Sequence, residues 1–237
     1  MTRLSRTTTA TFALLTAVAS LAGCAEHAVP YGRESINYAP RYGPRSVAVA
    51  PCVNLSGQSQ PDALLQADLV YQELQQVRGL TAVPVNRVVQ VMSGLGLRSI
   101  ESTEQAWAIC DAIGVDALLL PTITAFDPYD PPKFGGSMQL FVRKATTREG
   151  KIDPRMLSRR ATGGEVQPGP ANADFIQEAE MFDAAAGSTR DRVEAYARGR
   201  SDPAGALGVK EYYLNMDKYA AFAWHALIED ALARFED

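Results

Sequence analysis

Between Ser46 and Phe126 the chain alternates short apolar, β-branched runs with segments of helical periodicity, and this alternation limits its fold more than any other feature. Ser46-Val-Ala-Val-Ala-Pro-Cys-Val-Asn54 reads as one buried strand, broken at Gly57. Ser59 and Asp62 have the spacing of a capping box ahead of a helix from Ala63 to Val77. Leu64, Ala67, Tyr71, Leu74 and Val77 form its apolar face, and Gly79 is placed to end it. Leu80 to Val85 reads as a second strand. Asn86 is positioned to cap a short helix through Val88, Val89, Val91 and Met92, closed by Gly94 and Gly96. Ser102 and Gln105 form another capping pair, opening a helix through Trp107, Ile109 and Ile113 that stops at Gly114. Val115 to Phe126 is apolar almost throughout, as in a strand covered on both faces. The order predicts an α/β fold: a mixed sheet of about four or five strands covered by helices, with a C-terminal helical extension.

Downstream the pattern loosens. Asp127-Pro-Tyr-Asp-Pro-Pro132 reads as a loop, because its prolines cannot donate to a ladder. Ser137 to Lys144, with Met138, Leu140 and Val142 alternating, reads as one further strand. Residues 148–170, dense in charge, glycine and proline, read as an irregular excursion. Two helices are predicted to close the chain, from Ala171 to Ala197 and from Lys210 to Phe235. The last carries an apolar face through Leu214, Met216, Tyr219, Ala220, Ala223, Leu227, Ala231 and Phe235. The expected organisation is thus an N-terminal segment 1–23, a tether 24–45, an α/β domain 46–147, the excursion 148–170 and C-terminal helices 171–237.

The N-terminal segment has its own logic. Arg3 and Arg6 precede an uncharged stretch from Ala10 to Ala22, shorter than the about 20 residues that span a bilayer and suited to a signal-peptide core. It ends in Leu21-Ala22-Gly23-Cys24, which resembles the lipobox of bacterial lipoproteins. The resemblance implies cleavage after Gly23, acylation of Cys24 and a membrane anchor. Two or more acyl chains give stable attachment, at about 0.8 kcal/mol per buried CH₂. Ala25 follows the cysteine where an aspartate would suggest inner-membrane retention, so an outer-membrane location facing the periplasm is expected. Pro30, Gly32, Pro40, Gly43 and Pro44 suit the next stretch to a tether.

Composition removes several functional classes. The 237 residues carry 23 basic and 27 acidic side chains, a charge of −4, and export would remove two basic residues and no acidic one. That balance does not suit nucleic-acid binding. Three cysteines and two histidines, His27 and His225, provide neither a disulfide framework nor a multi-ligand metal site.

Val47-Ala-Val-Ala-Pro51 with Asn54, Val83-Pro84 leading into Arg87-Val88, Gly94-Leu-Gly-Leu97, and Gly114-Val-Asp-Ala117 before an apolar strand together resemble a known α/β domain. It is shared by the TolB amino-terminal region, the curli secretion channel protein CsgG and the lipoprotein activators of penicillin-binding proteins. The match covers residues 46 to 126. Cys52 departs from it, standing where such strands often place an aromatic residue.

The remaining candidates for chemistry each have a plainer reading. Asp127 and Asp130, three apart among prolines, suit a turn in which Asp caps its own backbone better than a metal or acid–base pair. Gly94-Leu-Gly96, Gly135-Gly136 and Gly163-Gly164 lack the flanking pattern of phosphate-binding loops. His225 has no G-x-S-x-G nucleophile elbow to serve and is expected in helix packing or at the surface. Cys52 and Cys110 are expected as buried free thiols, with a disulfide as the alternative. No catalytic residue, cofactor or metal is assigned. The leading expectation is a non-catalytic binding or assembly module of the cell envelope, held to the membrane at Cys24 and meeting an envelope protein. The alternatives are a curli-type secretion-pore subunit, with Ser137 to Lys144 as a short candidate membrane strand, and an enzyme acting on cell wall or glycans.

Overall fold

The computed structural model describes residues 36–39, 43–143, 175–202 and 205–235. Cys24, most of the tether and the excursion 148–170 lie outside the described residues. The described strands are β1 (Ser46–Val49), β2 (Val53–Asn54), β3 (Thr81–Val83), β4 (Ala117–Asp127), β5 (Lys133–Val142) and β6 (Phe175–Asp183). The described helices are α1 (Ala63–Leu74), α2 (Val85–Gly94), α3 (Thr103–Ile113), α4 (Gly187–Ala197), α5 (Lys210–Leu214) and α6 (Met216–Ala233).

All six strands form one mixed sheet in the order β3-β1-β4-β5-β6, with β2 also beside β4. The β1–β3, β1–β4 and β2–β4 pairs are parallel, and the β4–β5 and β5–β6 pairs antiparallel. The α/β mixed sheet is as expected, with more strands than predicted. One addition comes from splitting the run 46–54. Val49 pairs with Leu119 but Val53 with Thr122, so β1 and β2 use one residue more than β4 across Ala50-Pro51-Cys52. Proline has no N–H for the ladder, which accounts for the interruption there.

The other addition is β6, and it corrects the helix predicted from Ala171 to Ala197. Ala and Glu are good helix formers, but tertiary pairing overrides local propensity here. Ile176 and Phe182 of β6 face a hydrophobic core, and the two glutamates between them pair with the helix layer. Glu178 meets Arg234 at 2.8 Å and Glu180 meets Arg192 at 2.7 Å. Acids on the covered face hide the usual alternation. A helix begins only at Gly187.

Helix ends follow local chemistry. Asp62, not Ser59, caps α1, its carboxylate accepting from the N–H groups of Leu64 and Leu65. Pro84, not Asn86, occupies the cap position of α2, without a side-chain hydrogen bond. Ser102 caps α3 as expected, accepting from Gln105 N, and Gly114 closes it in the left-handed conformation at φ 84°. The predicted final helix is two: Asn215 separates α5 from α6 and caps the latter through Asp217 N and Lys218 N.

Two cores lie on opposite faces of the sheet. One joins Val47, Val49, Leu119, Met138 and Leu140 to α1, α4 and α6; the other joins Ala48, Leu118, Leu120 and Phe141 to α2 and α3. The final helix therefore packs on the domain. Its fully buried Trp224 meets Phe134 edge-on, centroids 5.0 Å apart. Gly136 makes that approach possible, since a Cβ there would lie 2.7 Å from Leu227 Cδ1. Gly135 sits against the β4 irregularity between Ile123 and Ala125, and its Cβ would lie 2.9 Å from Ala125 N. These glycines are consecutive residues of β5, so the loop reading of Asp127–Pro132 ends at Lys133, where the strand begins four residues before the predicted Ser137.

Candidate binding surface

Among the described residues, the helices of the second core cover only part of their sheet face. The cross-strand row Leu118–Phe141–Phe175 lies under α3, with the two phenylalanine rings stacked at 5.6 Å. The next row is Leu120–Gln139–Gln177, and the one after it Val53–Thr122–Ser137–Ala179, followed by Ala125–Gly135–Met181. From the first row to the third the side chains on β5 and β6 change from phenylalanine to glutamine and then to Ser137 and Ala179. None of Val53, Thr122, Ser137, Ala179 or Met181 belongs to either core among the described residues. Strand spacings of about 4.8 Å and rises of about 3.3 Å make this surface roughly 15 Å on a side. Of the third row, Val53 and Ala179 are exposed, Thr122 is half-buried and Ser137 is buried.

Exposed apolar residues continue it around the same end of the sheet. Leu55, 67% exposed, donates its N–H to Ile123 O beside β4. Leu64 and Leu65 are exposed on the first turn of α1, which Cys52 reaches by donating to Ala63 O. Tyr129, 75% exposed, stands on the β4–β5 turn. Leu64 had been expected on the buried face of its helix; that face is instead Gln66, Ala67, Val70, Glu73 and Leu74.

The titratable candidates have structural partners. Asp127 accepts from Tyr129 N at 3.2 Å, the expected Asx arrangement, with Asp130 in the same turn. Cys52 and Cys110 are free and buried, one in each core, with the sheet between them. Burial pushes both thiols up to about 12. Asp116 of the Gly114-Val-Asp-Ala117 motif is pushed up by desolvation, but its bonds from Arg45 N, the Ser46 hydroxyl and Ser46 N outweigh that and hold it below the usual carboxylate range.

His225 has a partner that the sequence reading missed. Its Nδ1 lies 3.0 Å from Oε2 of Glu73, a carboxylate 5% exposed. Tyr196 donates to Glu73 Oε1 at 2.8 Å, and Arg200 stacks on the Tyr196 ring at 3.9 Å while donating to Gln76 Oε1. Beside them Trp224 Nε1 donates to Gln66 Oε1 at 2.9 Å, both buried. This polar network ties α1 to α4 and α6. The signal was a glutamate and a glutamine on the apolar stripe of α1. Burial pushes the Tyr196 phenol upward, and the neighbouring Glu73 carboxylate adds to this.

Among the described residues, no group of three His, Cys, Asp or Glu side chains is placed to hold a metal ion. No described helix is long and apolar enough to cross a membrane. The one candidate membrane strand named above, from Ser137, is interior to the sheet as far as Phe141, paired to β4 and β6.

No protein-family model matches the chain, and no curated protein matches it. Among solved structures it is similar to the C-terminal domain of LpoB from Salmonella enterica, at 17% identity over 46% of this chain and 76% of that one, with a TM-score of 0.36. Lipoprotein GNA1162 from Neisseria meningitidis matches at 16% identity over 50% of this chain and 94% of that one, TM-score 0.35. A PelC dodecamer from Paraburkholderia phytofirmans matches at 7% identity over 86% of this chain and 96% of that one, TM-score 0.35. Likenesses this remote carry no argument about function.

Proposed function

We propose that the protein is a lipid-anchored, non-catalytic binding module of the bacterial envelope, held at Cys24 to the outer membrane and facing the periplasm. The observation that carries this reading is the run from Arg3 and Arg6 through the uncharged Ala10–Ala22 to Leu21-Ala-Gly-Cys24. The folded part supports a binding role. Val53 and Ala179, at the two ends of the Val53–Thr122–Ser137–Ala179 row, are exposed, as are Leu55, Leu64, Leu65 and Tyr129 near it. His225, the one described histidine, is engaged with a buried carboxylate.

The test is palmitate labelling of the expressed full chain with mass analysis of its N-terminal peptide. The expected peptide begins at acylated Cys24, and Cys24→Ser leaves the membrane fraction. An unlabelled protein that keeps Met1, or a Cys24→Ser variant still held at the membrane, would sink the reading.

A further inference from the structure

The chain reaches its domain at one end of the sheet and is fastened there. Tyr38 is buried, its ring edge-on to Phe235 just past α6 with centroids 6.3 Å apart. Tyr38 N donates to Arg78 O at 3.0 Å, and Arg78 N donates to Ile36 O at 2.9 Å. Gly79, at φ 90°, lets the Tyr38 carbonyl approach; a Cβ there would lie 2.2 Å from that oxygen. Among the described residues the fold first holds the chain at Ile36, within the stretch expected as a tether. Cys24 precedes Ile36 by twelve residue steps, about 40 Å at full stretch.

The exposed apolar residues lie at the opposite end. Ile36–Tyr38 sit beside Arg78, where β1 and β3 begin, whereas Leu55, Leu64, Leu65 and Tyr129 surround the far end of β4. The 11 residues of β4 separate the two ends by about 35 Å.

We infer that this far end is the docking surface for a protein domain standing close to the bilayer that holds Cys24, its contact face within about 75 Å of the lipid. The inference rests on the anchoring reading of Cys24. Chain length and the point where it is fastened set the distance. The contact chemistry follows from the residues: Leu55, Leu64, Leu65 and Tyr129 offer apolar surface, with the carboxylates of Asp62, Asp127 and Asp130 around them. Lys133, the nearby cation, is paired with Asp183 at 2.8 Å. A complementary face is apolar with lysine or arginine at its rim. The same carboxylates disfavour an anionic bilayer as the occupant.

The test uses the lipidated full chain in vesicles of phosphatidylethanolamine and phosphatidylglycerol carrying an energy acceptor on the headgroup. A donor dye is placed at Asn37→Cys or at Tyr129→Cys, the buried Cys52 and Cys110 staying unlabelled. Transfer from position 37 is expected to be several-fold stronger than from position 129. Equal transfer, or stronger transfer from 129, overturns the inference. In cells, a photo-crosslinking residue in place of Leu64 is expected to join a protein held in the same membrane, while one in place of Asn37 does not. An adduct only with phospholipid, with a second copy or with a protein of the other membrane overturns it, as does no adduct. Palmitate label present without the expected adduct defeats the docking inference alone; absent label defeats the anchoring reading.

Discussion

Nδ1 of His225 on α6 lies 3.0 Å from Oε2 of Glu73 on α1, and this contact is the centre of a buried polar network between helices that are distant in sequence. Removing one member of such a network leaves its partners desolvated and unpaired. Glu73→Ala is therefore expected to cost about 3–5 kcal/mol, the range for breaking a buried pair. Urea unfolding of the protein measures it. A loss below about 1 kcal/mol would show that the network contributes little.

Asp116 gives the domain an acid-sensitive join between β4 and the start of β1. Its folded-state value is depressed, so its contribution is fully present above the unfolded value of about 3.9 and is lost as pH falls through the lower folded value. Asp116→Asn should be less stable than the wild chain at neutral pH, with the gap closing below about pH 4. Thermal melts across pH 2–7 would test it; a gap independent of pH contradicts the assignment.

Gly136 and Gly94 should respond oppositely to alanine. A Cβ at Gly136 meets Leu227 and Trp224, whereas nothing lies within 4 Å of one at Gly94. Gly136→Ala is expected to cost about 1–3 kcal/mol through overpacking. Gly94→Ala, on the last turn of α2, is expected to be neutral or to stabilise by up to about 1 kcal/mol. Paired denaturant titrations compare them, and equal effects would refute the close approach of α6.

Cys52 and Cys110, with thiols raised to about 12, should stay unmodified by iodoacetamide at pH 8 in the folded protein and react after unfolding. Peptides mapped without reduction should contain no Cys52–Cys110 link, because the sheet stands between the two side chains. Rapid modification without denaturant, or a linked peptide, would contradict the packing.

Much of the α/β layer was legible from residue pattern. The runs at Val47–Val49 and Ala117–Leu120, the Ser102 cap and the Gly114 stop carry local signals strong enough to survive folding. Elsewhere the deciding partner was far away in sequence. β6 escaped because Glu178 and Glu180 face arginines of the helix layer rather than water. The Glu73 network was hidden because Tyr196, Arg200 and His225 arrive from more than 120 residues downstream. The candidate surface was unreadable for a related reason: the Val53–Thr122–Ser137–Ala179 row exists only once four strands are in register.

The junction at Tyr38 also has a mechanical meaning. Because Tyr38 bonds to Arg78 and its ring rests on Phe235, tension applied to the chain ahead of Ile36 would enter at two places at once. Part goes to the edge of the sheet beside β3, and part to the last turn after α6. The load path is split between two layers, and trimming the Phe235 ring removes the contact to one of them.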